Sequence, residues 1–152
     1  MREILFKGKH FKTGEWILGT PYFMPSGAIL MLRYADDIKT VKDDEGEKIY
    51  DVMFNCFEII PETLCQYTGL NDKDGHRIWE NDIVLASYYK WKSKVIWDKK
   101  DARFICHTND KDIKIVYVAM VDKDNLSALK VIGNIFENPE LVKDGDETEN
   151  RS

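Results

Sequence analysis

Asn71-Asp72-Lys73-Asp74-Gly75 is the stretch of this chain that comes nearest to a ligand loop. Alternating acids ahead of a glycine can offer oxygen ligands to a calcium ion while the glycine makes the sharp turn. The register excludes that reading. With Gly75 as the sixth loop position, the first is Leu70 and the twelfth Asn81, where Asp and Glu are required. Asp43-Asp44-Glu45-Gly46 fails the same test, with Val41 and Val52 at its two ends. An Asp-Gly hairpin turn is the plainer expectation for residues 71–75.

The thiols and imidazoles offer little more. Cys106 and His107 are adjacent, and neighbours on a strand point to opposite faces, which counts against a Cys-His nucleophile pair. No C-x2-C or H-x3-H spacing accompanies them, so no zinc site is expected. Cys65 or Cys56 with His76 stays open as a pair, against the alternative of buried thiols. There is no GxxxxGK[ST], no GxGxxG and no serine in a nucleophile elbow. The expectation is a chain that is not an enzyme and holds no metal and no cofactor.

One segment could bind. Lys90, Lys92, Lys94, Lys99 and Lys100 lie among Tyr88, Tyr89, Trp91 and Trp97. Cations for phosphates and aromatic faces for bases are what single-stranded nucleic acid requires. Alternation along a strand turns Trp91 and Trp97 away from Lys90, Lys92 and Lys94, which favours a different account. In it, the tryptophans are buried and the lysines guard an exposed strand against aggregation.

The elements that must position these residues are short. Ile4 to Gly19 alternates β-favouring runs with glycine turns, a hairpin or meander with Thr13-Gly14 at its bend. Pro21 and Pro25 exclude a helix between Leu18 and Ser26. Ala28–Tyr34 is a strand or a buried helical turn. Ala35–Lys48 mixes acids and lysines around Gly46 and reads as a solvated loop or hairpin tip. Pro61 opens a helical turn at its first position. Ile113–Val121 is the most convincing strand, and a short helix follows from near Asn125. Val131–Phe136 is a last strand with a bulge at Gly133-Asn134. Residues 143–152 contain no apolar side chain and read as a disordered tail.

These patterns point to a mainly β fold (β-rich α+β), with small SH3-like-barrel character, an N-terminal hairpin or meander and minor short helices. Residues 1–142 form a single compact domain or two small lobes, 1–60 and 61–142. The chain has 152 residues, 43% hydrophobic and 32% charged, enough for a core. A net charge of -5 argues against a surface given over to nucleic acid. Three cysteines without regular spacing, no leader and no apolar run of membrane-spanning length place the protein in the cytoplasm.

Three segments carry a resemblance. They are IleLeuPheLysGly (4–8) with GlyGluTrp (14–16) and Gly19; ProGluThrLeuCysGlnTyrThrGlyLeu (61–70) running through AspLysAspGly (72–75) into AsnAspIleVal (81–84); and ValIleGlyAsnIlePheGluAsnProGluLeu (131–141). In this order they resemble the YopX family of phage and prophage proteins. Asn81 departs from it, since such proteins more often have glycine ahead of Asp-Ile-Val. The resemblance implies a small, mostly β protein of mobile genomes, in the bacterial host cytoplasm, and brings no catalytic residue to map. Within it, Gly69 and Gly75 are expected to set turns, Ile78 and Trp79 to anchor the loop, and Asp82 to lead into the next strand. Gly133 and Asn134 belong to the same structural motif. The expected function is a non-enzymatic interaction module working by protein contact as a homo-oligomer, with a host or phage protein as partner. The alternative is nucleic-acid binding through Lys90–Lys100.

Overall fold

The structure is a computed structural model, described for residues 3–42, 48–86, 91–108, 111–114 and 129–143. Among the described residues it consists of antiparallel strands with one 3₁₀ turn and one short helix, so the mainly β expectation holds. In order these are β1 (Phe6–Lys9), β2 (Trp16–Phe23), β3 (Ile29–Lys42), β4 (Lys48–Ile59), the 3₁₀ turn Pro61–Thr63, β5 (Cys65–Asn71), β6 (Arg77–Trp79) and β7 (Asp82–Ala86). They continue with β8 (Trp91–Asp98), β9 (Arg103–Thr108), β10 (Lys111–Lys114), β11 (Leu129–Asn134) and α1 (Glu140–Lys143). The chain divides into two compact units, Leu5–Cys65 and the residues from Gln66 onward, the second also holding Glu3 and Ile4.

In the first unit β2 serves two neighbours. Trp16–Gly19 pairs with β1, and Thr20–Phe23 pairs with Ile29–Leu32 of β3. The change of partner falls at Gly19, where a Cβ would collide with the Leu32 carbonyl, so only glycine lets the strands approach there. Gly14 takes φ 71° in the β1–β2 turn, as the Thr13-Gly14 pattern implies. Alternation sends Ile17, Ile29, Met31 and Ile59 inward with Phe6 and Leu64 packed beside them. The far end of β4 then curls back to β1: Phe11 N–H donates to Glu58 O (3.1 Å) and Ile60 N–H to Lys9 O (2.8 Å). Thr63 closes the corner, its hydroxyl accepting Lys9 N–H and donating to Ile60 O.

Ala28–Tyr34 proves to be strand from Ile29. The solvated-loop expectation for Ala35–Lys48 needs correcting. β3 runs on to Lys42 and β4 starts at Lys48, with Ile38 opposite Val52 and Val41 opposite Ile49. β-favouring residues between the charges keep the ladder going, and only residues 43–47 lie outside the described structure.

In the second unit β5 and β6 form a hairpin, and five strands form a sheet in the order β10-β9-β8-β7-β11. Ile78, Val84, Ala86, Val95, Phe104, Cys106 and Leu129 make its core. Ile83 and Ile105, on the opposite face, are also buried, and α1 packs against β8. Among the described residues no closed barrel forms. The barrel character is confined to the curl of β4 onto β1, because β10 and β11 remain edges of the second sheet. The expected strand past Lys114, the helix near Asn125 and the tail from Asp144 fall outside the described residues. No helix among those described is long and apolar enough to cross a membrane.

Candidate functional site

The Asp-Gly stretch is a turn, and its geometry shows what the acids do. Asp72 is buried, and its Oδ1 accepts the N–H groups of Asp74 and His76, each at 2.9 Å. Its Oδ2 accepts Val131 N–H at 3.0 Å. Gly75 (φ 85°) donates to Asp72 O, and Asp72 N–H to His76 O, closing the loop. Lys73 N–H reaches Leu129 O at 2.9 Å, so loop and β11 are joined twice. Burial alone pushes the Asp72 carboxyl up. The N–H groups of Val131, His76 and Asp74, with the nearby His76 ring, outweigh it and hold the carboxyl below its ordinary value.

Asp72, Asp74 and His76 bring ligand atoms within 4.8 Å of one another, the composition of a divalent-cation site. Their positive partners are already present. Three N–H groups occupy Asp72, and the Lys130 ammonium stands 3.7 Å from Asp74 Oδ2. The cluster therefore reads as a loop lock.

The following residues work the same way. Trp79 is buried, with the Tyr67 ring at 5.6 Å, and its N–H donates to Asp82 Oδ2 at 2.8 Å. Asp82 is buried and begins β7, as expected. Asn81 adopts φ 67°, a conformation that favours glycine and is tolerated by asparagine. Its N–H donates to Val95 O and its carbonyl accepts Ile135 N–H. Gly69 (φ 86°) sits in an irregularity inside β5, between Tyr67 and Asn71, and so forms a bulge where a turn was expected. Thr68 fills the irregularity: its hydroxyl donates to Ile78 O and accepts Leu70 N–H. The bulge expected at Gly133 is present. The Asn138 side chain occupies the space a Cβ at Gly133 would need, and Asn134 Oδ1 accepts the N–H groups of Phe136 and Glu137.

The lysine-aromatic strand differs from expectation. Lys90 lies outside the described residues. Lys92 is exposed and Lys94 half-buried, on the face away from Val95. Trp91 and Trp97 share the Val95 face but stand at the two ends of β8, beyond the core, and are exposed rather than buried. Trp97 rests edge-on against Phe104 at 4.9 Å. Lys94 acts electrostatically on Glu80, whose carboxyl is pushed up by burial while the Gln66 backbone and Lys94 pull it down. Lys99 and Lys100 are exposed in a turn shared with Asp98, Asp101 and Arg103, where Arg103 bridges both acids. Of the four described lysines, Lys94 has Glu80 beside it and Lys99 and Lys100 share their turn with Asp98 and Asp101, so carboxylates interrupt the positive charge.

Cys106 is buried and its thiol pushed up to about 12 by desolvation, while His107 on the opposite face is exposed. Cys65 is buried, donating to Thr63 O, and Cys56 and His76 are exposed. A thiol held protonated at neutral pH is a packing residue.

One surface escaped the sequence reading. On β2 the outward positions carry Trp16, Leu18 and Tyr22, with Lys7 and Lys9 beside them on β1. Both ammonium groups lie over the Trp16 ring, at 4.6 and 5.3 Å. Leu18, Tyr22, Phe23, Met24 and Phe11 are all exposed. The signal was in WILGTPYF, where apolar residues fill the positions that alternation assigns to solvent.

Comparison with known proteins agrees with this structure. The crystal structure of protein EF1440 from Enterococcus faecalis has the same fold: TM-score 0.56, 24% identity, covering 93% of this chain and 99% of that one. No curated protein matches the chain. Residues 31–143 match the family model described as YopX protein, and the chain belongs to the YopX family.

Proposed function

We propose that this YopX-family chain is a non-enzymatic accessory protein of a phage or prophage, acting in the host cytoplasm through protein-protein contacts and as a homo-oligomer. The observation that carries this reading is the outward face of β2. Leu18 and Tyr22 are 44% and 54% exposed, and Phe23, Met24 and Phe11 of the same unit are exposed as well. A small protein that leaves this many large apolar side chains in water has a surface that another protein can cover. The buried thiols and the fully bonded Asp72 support the absence of catalysis.

The test is co-purification of the tagged chain from infected or lysogenic cells. A companion protein is expected at comparable amount, and Leu18→Glu with Tyr22→Glu is expected to remove it without lowering the Tm. A wild-type preparation that is monomeric and brings down no other protein overturns the reading. The nucleic-acid alternative rests on Lys92, Lys94, Lys99 and Lys100 and is weakened by the carboxylates around them. It predicts oligonucleotide binding at ~50 mM salt that falls steeply as salt rises.

A further inference from the structure

The sheet edges differ in how well they are closed to further pairing. β10, described over Lys111–Lys114, carries two lysines, and β11 is broken by the bulge at Gly133. Short, charged and bulged edges resist added strands. β4 carries Lys48, Asp51 and Glu58 but is neither short nor bulged. It is twelve residues long, contains no proline and, among the described residues, is the outermost strand of its sheet. The irregularity opposite Val52–Phe54 belongs to β3, which carries the extra residues between Tyr34 and Ile38. Moreover β2 pairs with β3 no further than Leu32. Beyond that point β3 and β4 form, within their unit and among the described residues, a two-stranded ribbon, an arrangement that is marginal by itself.

The backbone of β4 has a readable direction. Glu58 turns its carbonyl outward to Phe11 N–H, and Ile60 its N–H outward to Lys9 O. The N–H and C=O of a strand residue point to one side, and the side alternates. Tyr50, Val52, Phe54 and Cys56 therefore present their backbone groups to the open edge, while the odd-numbered residues serve β3.

We infer that β4 pairs antiparallel with β4 of a second copy of this chain, about a two-fold axis at Met53. In this register Val52 stands opposite Phe54 and Tyr50 opposite Cys56, each a hydrogen-bonded pair. Between them Ile49 meets Phe57 and Asp51 meets Asn55, so apolar positions meet apolar ones and no like charges face. An axis at Asp51 opposes two carboxylates. An axis at Val52 sets Ile49 against Asn55 and Asp51 against Met53. An axis at Phe54 runs into Glu58 and Ile59, which His10 and Phe11 already cover. An identical strand satisfies its own edge reciprocally, the isologous contact of a closed dimer. The inference rests on the reading of the chain as a homo-oligomer and adds the surface that makes it one.

The experiment combines light scattering with cross-linking of the full chain. The wild type is expected at twice the 17.8 kDa chain mass. Val52→Pro removes an outward N–H and leaves the β3 ladder intact, so the mass falls to that of one chain. In a Cys56→Ser background, Met53→Cys places two thiols across a non-hydrogen-bonded pair, about 4.5 Å between Cα atoms, within disulfide reach. Diamide, taking up the two hydrogens, converts this variant to a covalent dimer. Asn55→Cys sets its thiols roughly 13 Å apart at ~3.3 Å per residue and stays uncoupled. A wild type that is monomeric overturns both the inference and the self-association reading. An oligomer in which Met53→Cys and Asn55→Cys couple equally overturns the inference alone, whether or not Val52→Pro folds.

Discussion

Asp72 Oδ2 accepts the backbone N–H of Val131 at 3.0 Å across 59 residues of chain. One carboxylate thus ties two of the segments that carry the family resemblance, the Asp-Gly turn and the last strand. Asparagine keeps one side-chain oxygen but puts an NH2 in place of the other, so the N–H that faced that oxygen meets a donor and loses its acceptor. Asp72→Asn is expected to cost about 2 kcal/mol, since a buried donor left unpaired costs ~1–3 kcal/mol. Chemical denaturation of the two proteins at pH 7 measures the difference.

The same bond has a pH signature. Asp72 is held below its ordinary value in the fold, so its contribution is present above the unfolded value, about 4, and is lost as pH falls through the folded one. The stability gap between wild type and Asp72→Asn should therefore close in acid below about pH 4. Thermal melts across pH 2–7 check this; a constant gap contradicts it.

Glu80, eight residues away, has the opposite sign. Burial raises its carboxyl above the ordinary value, so its charged form is disfavoured in the fold. The stability tied to this group is complete below the unfolded value and falls as pH rises through the folded one. Glu80→Gln is expected to raise the Tm at pH 7–8, with the gain vanishing toward pH 4. Lys94→Ala removes the cation that pulls the carboxyl down, and is expected to enlarge that gain.

At Asn81 the backbone itself makes a prediction. With φ at 67°, Asn81→Gly should be neutral or stabilising by up to ~1 kcal/mol, and Asn81→Val destabilising by ~1–2 kcal/mol. Equal stability in the two variants would contradict the assignment.

Gly8 faces the Ile59 side chain, which is buried in the core. Gly8→Ala is expected to cost ~1–3 kcal/mol through overpacking. Ile59→Val in the same chain removes the atom nearest the new methyl and should recover part of the loss, a coupling that a double-mutant cycle reads directly.

These positions also show where sequence patterns carry information about this fold and where they do not. Turn chemistry was legible at Gly14, Gly75, Pro61 and Gly133, because positive φ, a missing N–H or a close approach leaves few residue choices. The burial of Trp79 and the entry of Asp82 into β7 were legible too. Three things were not. Gly69 forms a bulge, which shares its residue preference with a turn. The exposure of Trp91 and Trp97 depends on how far the core extends along β8, a matter of tertiary packing. The reach of β3 and β4 past Tyr34 depends on cross-strand pairing, which local composition rich in charge conceals. The exposed face of β2 was visible as broken alternation, but alternation alone does not say which strand lies beside Leu18. The lysine segment was misleading for a related reason: Glu80 reaches Lys94 only through the fold, whereas Asp98 and Asp101 flank Lys99 and Lys100 in the sequence itself.

The most direct test of the account is the solution mass of the full chain by multi-angle light scattering at micromolar concentration, followed by capture of partners from lysogenic cells. An interaction protein that self-associates gives a multiple of 17.8 kDa and carries a second protein with it. A strict monomer that captures nothing contradicts the central claim.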